Sequence, residues 1–140
     1  MQRKSWRMAA LVLIGGCATT SPAVVMTAPA GRAAVACAAR VLEERGYDLR
    51  KPDKPGETLQ AERRLVYAPM GAVREIITAS VDGTGTPARL QATVRAWDYQ
   101  PAQHDLPIDR QSVTEIRPSR EAVTDARAVL EGCGPGAERR

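Results

Sequence analysis

The sequence predicts an α+β domain: a two-layer sandwich with an N-terminal and a C-terminal helix packed on one face of a three- or four-stranded antiparallel sheet. Three observations predict it. Apolar residues recur at helical spacing near both ends of the chain, between 34 and 42 and between 122 and 133. Runs of alternating apolar and polar residues lie between them. Strict alternation describes a sheet wet on one side, which is how antiparallel sheets are commonly arranged.

The first helix lies in "RAAVACAARVLEER", residues 32–45, where Ala34, Cys37, Ala38, Val41 and Leu42 share a face and Gly46 supplies a left-handed end. "YDL" then starts extended, and Pro52 and Pro55 in "RKPDKPGE" impose a turn. Three strand-like runs follow. In the first, Leu59, Ala61 and Leu65 alternate with Gln60, Glu62 and Arg64. In the second, Val73, Ile77, Ala79 and Val81 alternate with Arg74, Thr78 and Ser80. In the third, Leu90, Ala92, Val94 and Ala96 alternate with Arg89, Gln91, Thr93 and Arg95. "DGTGTP", residues 82–87, is the hairpin loop between the last two. A weaker strand is expected at 112–116, "SVTEI". The closing helix runs through "SREAVTDARAVLEGCG": Ser119 is the N-cap, and Ala122, Val123, Ala126, Val129, Leu130 and Cys133 form an apolar stripe. With no Phe and a core of Ala, Val and Leu, apolar burial is thin.

The chain before the first helix reads differently. Arg3, Lys4 and Arg7 precede an apolar run, Met8 to Ile14, which ends at Gly15, Gly16 and Cys17. That run is far shorter than the ~20 residues of a membrane-spanning helix and has the charge, length and small-residue end of a secretory signal. The ending "LIGGC" resembles the lipobox of bacterial lipoproteins. The resemblance implies that residues 1–16 are a removed signal peptide and that Cys17 becomes an acylated first residue, the site of lipidation. An ordinary signal peptide cut after Ala18 or near Ala30 is the alternative. Ala18 stands where Asp would retain such a protein in the inner membrane, so the implied location is the outer membrane facing the periplasm, in a host that has one. The implied first partner is a lipid bilayer, held through acyl chains at about 0.8 kcal/mol per buried methylene.

Residues 17–31, rich in Ala, Thr, Ser and Pro, are expected to be a flexible tether spanning on the order of 20 Å; residues 32–134 form one domain and 135–140 a disordered tail. Without Arg3, Lys4 and Arg7 the formal net charge falls from +4 to +1, so the basicity belongs mainly to the export signal. No nucleic-acid partner is expected, because the basic patch such binding requires is missing. In an oxidising compartment Cys37 and Cys133 are expected to pair, closing a span of 96 residues. The competing reading, a metal site completed by His104, lacks a neighbouring ligand at zinc spacing.

No catalytic constellation emerges, and no metal or cofactor is expected. His104 lies between prolines in "YQPAQHDLPID", and neither Asp105 nor Ser112 sits in a nucleophile context. "DGTGTP" lacks phosphate-binding spacing; Glu43 and Glu44 diverge on a helix; and Asp48, Asp53 and Glu57 do not match a calcium loop and have Lys51 and Lys54 among them. The suggestive feature is the polar sheet face, where Arg64, Arg74, Arg89 and Arg95 are expected beside Trp97 and Thr78. Arg and Trp are enriched where interfaces form. The bland alternative is a solvated face on which Glu62 and Glu75 neutralise their neighbours. The expected function is a non-enzymatic envelope lipoprotein that contacts a protein or glycan through this face. Alternatives are a carrier of a small apolar or lipidic ligand between sheet and helices, and a periplasmic hydrolase using His104.

Overall fold

The computed structural model describes residues 22–50, 58–67, 71–83, 85, 88–99 and 113–136. The signal segment, Cys17, the 51–57 turn, His104, Asp105, Ser112 and residues 137–140 lie outside them.

Helix α1, Ala34–Glu44, buries Ala34, Ala38 and Leu42, residues spaced by four on one face. It ends as Gly46 predicts. At φ 83° Gly46 turns the chain into the left-handed region, and the Gly46 and Tyr47 amides donate to Glu43 and Leu42 carbonyls at 3.0 Å each. This Schellman closure satisfies the last carbonyls and swings Tyr47 into the core, where it is 2 % exposed. Helix α2, Arg120–Gly132, starts at Ser119, whose hydroxyl accepts the Ala122 amide at 3.1 Å. Glu121 in its first turn complements the helix dipole.

The sheet is antiparallel throughout, but it has six strands rather than three or four. The expected strands are β3 (Thr58–Tyr67), β4 (Gly71–Asp82), β5 (Arg89–Tyr99) and the weaker β6 (Val113–Ile116). The additional ones are β1 (Val24–Pro29) and β2 (Asp48–Arg50). The order is β1-β5-β4-β3-β2, with β6 also on β5. One edge of β5 is thus shared: β1 pairs with Arg89–Val94 and β6 with Ala96–Tyr99.

Strand β1 corrects the expected tether. Residues 17–31 are not all linker, and the domain does not begin at 32, because Val24 to Pro29 are bonded into the sheet. The alternation was present: Val24, Met26 and Ala28 pack on the core while Val25, Thr27 and Pro29 face out. Pro29 is tolerated because β1 is an edge strand. The strand is followed by a close approach, the Gly31 amide donating to the Cys133 carbonyl at 2.9 Å.

The core lies between one sheet face and both helices. Leu59, Ala61, Ile77, Ala79, Leu90, Ala92 and Val94 from the sheet meet Ala34, Ala38, Leu42, Ala122, Ala126, Val129 and Leu130. The helix-facing side chains are mostly alanine, so α1 and α2 can sit close to the sheet and to one another.

Candidate functional site

The helices cover one face of the sheet; the other is open. Residues directly opposite in an antiparallel pair share a face, and the register links Arg64 to Arg74 and Arg74 to Trp97. Arg95 lies opposite Ile76, and Ile76 opposite Glu62. Arg89 pairs with Asp82. Thr78 lies opposite Gln60 and Thr93, so all six residues expected on the open face are on it.

They divide into two clusters and an outlier. Glu62, its side chain 8 % exposed, gathers Arg50, Arg64 and Arg74; Arg74 contributes a two-pronged contact at 2.5 and 3.0 Å. Burial alone would raise the Glu62 carboxyl, but hydrogen bonds from Arg74 and Arg64, with Arg50 adding to them, hold it down at about 2. Beside it, Arg95 forks onto Glu115 at 2.8 and 3.1 Å while its guanidinium lies 4.9 Å from the centre of the Trp97 ring. The Arg95 hydrogen bond pulls the Glu115 carboxyl below its usual range. Arg89 stands apart, donating to the Thr27 hydroxyl at 2.9 Å. Between these adjacent clusters and the Asp82–Arg89 pair run two uncharged rows, Gln60–Thr78–Thr93 and Thr58–Ser80–Gln91. The result is a surface of hydroxyls and amides bordered by guanidinium groups and one indole, suited to polar, hydroxyl-bearing or carboxylate-bearing partners.

Glu75 is not part of this face, contrary to expectation. It pairs in register with Arg63 on the helix side and is fully buried. There it accepts Arg63 Nη2 at 2.9 Å and the Ser119 amide at 3.0 Å. Arg63 also reaches Glu121 at 3.0 Å and Asp125 at 3.6 Å and lies 4.7 Å over the Tyr47 ring. Asp125, 5 % exposed on the buried stripe of α2, accepts Arg45 at 2.6 Å and the Tyr47 hydroxyl at 3.0 Å. Burial chiefly, and the neighbouring Asp125, push the Tyr47 hydroxyl well above its ordinary value, so it remains a donor. This network of Arg45, Tyr47, Arg63, Glu75, Glu121 and Asp125 was missed by sequence reasoning. Its signal was available: Arg63 and Glu75 occupy the apolar phase of their strands, and Asp125 interrupts the stripe of α2. The network fixes α2 and the end of α1 to the sheet.

The Cys37–Cys133 disulfide is formed, with the two Cα atoms 5.7 Å apart. It joins α1 to the C-cap of α2 as the two apolar stripes predict. A depression of about 440 Å³ lies over it, and a second, of about 530 Å³, adjoins the end of α2. The first lies between the start of α1 and the end of α2; the second lies between the end of β1, at Ala28 and Pro29, and the end of α2. Among the described residues no helix is long and apolar enough to cross a membrane, and no group of His, Cys, Asp and Glu is placed to hold a metal. Cys17 and His104 lie outside the described residues, so the anchor and the histidine gain no geometry. A scan of protein-family models matches none of them to this chain, and a search of curated proteins finds no significant match.

Proposed function

We propose that the chain is an exported lipoprotein, trimmed before Cys17 and fastened to a membrane through acyl groups there, whose domain binds another envelope component without catalysing a reaction. The observation that carries this reading is the pairing of Cys37 with Cys133. It uses two of the three cysteines and leaves Cys17, the residue at the end of the signal-like run. Disulfides persist in oxidising compartments, which agrees with export. The open face is the surface such a domain would present, with Arg64, Arg74, Arg89, Arg95 and Trp97 as its contacts and a protein or glycan as its partner.

Mass spectrometry of the protein from its own host tests the anchor: the amino terminus should be an acylated Cys17, and Cys17→Ala should leave an uncut, unacylated chain. An intact Met1 terminus in the native protein would refute it. For the face, the triple variant R89A/R95A/W97A, with its fold verified, should lose crosslinked partners that the native protein retains. An unchanged crosslinking pattern would remove the binding role.

A further inference from the structure

We propose that the Cys37–Cys133 bridge is an exchangeable disulfide, with Cys37 the sulfur that receives an incoming acidic thiol and Cys133 the buried partner that later expels it. The bridge is not sealed in the core. It forms the wall of the 440 Å³ depression, together with Arg32, Ala33, Ala36 and Arg40. Access is unequal: Cys133 is 2 % exposed, whereas Cys37 is only half-buried. A thiolate entering the depression therefore meets Cys37.

The lining is electropositive. It contains two arginines and no acidic residue. Both arginines are exposed, and among the described residues neither has a hydrogen-bond or ion-pair partner, unlike the guanidinium groups of the open face. Positive charge at this opening draws an incoming anionic thiolate towards Cys37, the more accessible of the two sulfurs. The same arginines favour an incoming thiol that carries carboxylates.

In the exchange, the thiolate R–S⁻ attacks Cys37 Sγ, and the electron pair of the Cys37–Cys133 bond passes to Cys133 Sγ, which takes a proton from water. The product is a mixed disulfide on Cys37. In the return step Cys133 loses that proton, attacks Cys37 Sγ and releases R–S⁻, restoring the bridge. Helix packing survives both steps, because Ala34, Ala38, Leu42, Ala122, Ala126 and Val129 stay buried against the sheet independently of the sulfurs.

The test uses the full, oxidised chain as isolated from its host, treated with glutathione, which carries two carboxylates, or with cationic cysteamine. Reactions are quenched by alkylation and mapped by peptide mass spectrometry. Rates are compared per thiolate. The expected result is a glutathione adduct on Cys37, formed about tenfold or more faster than the cysteamine adduct, an electrostatic preference of ordinary size. In R32A/R40A that preference should largely disappear, with the cysteamine rate undiminished. An adduct on Cys133, equal rates for the two thiols in the native chain, or reaction only after unfolding in urea would overturn the proposal.

Discussion

Replacing Arg63 with methionine should destabilise the domain far more than loss of a surface ion pair would. Glu75 is 0 % exposed, and its partners are the Arg63 guanidinium at 2.9 Å and one amide, Ser119, at 3.0 Å. Methionine fills much of the space of the arginine stem, so the dominant cost is a stranded buried carboxylate, about 3–5 kcal/mol when one member of a buried pair is removed. Loss of the Arg63–Tyr47 ring contact adds to it. Adding Glu75→Gln should then recover part of the loss, because the amide keeps the acceptor for Ser119 and carries no charge. The expected double-mutant coupling is about 2 kcal/mol, read from urea unfolding at pH 7 by circular dichroism with the disulfide intact. If Arg63→Met cost less than about 1 kcal/mol, or the two changes were additive within about 0.5 kcal/mol, this network would not be what fixes α2 to the sheet.

Glu62 sets an acid limit. Its carboxyl sits near 2 in the folded protein, below its unfolded value, so the associated stability is present above the ordinary glutamate range and is lost as pH falls towards 2. Because Arg50 and Arg64 are about half exposed, water screening reduces the effect to about 1–2 kcal/mol; urea midpoints at pH 6 and pH 2.5 measure it, and Glu62→Gln should flatten that part of the pH profile. Reduction of the 96-residue bridge should lower unfolding free energy by up to ~4.7 kcal/mol in the chain-entropy treatment, without unfolding the domain at 25 °C, as paired oxidised and reduced denaturation curves would show. At Gly31 an added Cβ would stand 2.5 Å from the Gly134 carbonyl oxygen and 2.8 Å from that of Cys133. Gly31→Ala should therefore cost about 1–3 kcal/mol, whereas Gly132→Ala, whose nearest contact is 4.0 Å away, should be neutral or slightly stabilising in a thermal melt.

The elements legible in the sequence were those long enough to repeat their period several times. The helical stripes of Ala34–Leu42 and Ala122–Cys133, and the alternation of Leu90 to Ala96, each repeat one signal several times, and the disulfide followed from the oxidising compartment the signal-like segment implies, with both cysteines on those stripes. The open-face residues were legible for the same reason, since strand parity puts Arg64, Arg74, Arg95 and Trp97 on one side once the register is in phase. Strand β1 was obscured because Pro22 precedes it, Pro29 ends it and its surroundings are Ala, Ser and Thr, a composition shared with linkers. Strand β2 is three residues long, too short for any period to declare itself. Glu75, Arg63 and Asp125 were misread or passed over because charge at an apolar phase looks like a flaw in the pattern. It becomes intelligible only when two strands and a helix are brought together and the charges meet.

The shared edge of β5 and the bridge beside it determine how the domain would yield to force. A pull from the amino-terminal side would first peel β1 from β5 and then break the Gly31–Cys133 hydrogen bond. At Cys37 the load would pass through sulfur directly to residue 133, bypassing every strand from β2 to β6. Only the short length of chain ahead of Cys37 can be drawn out while the thiols stay joined. Once they are parted, the whole sheet becomes extensible.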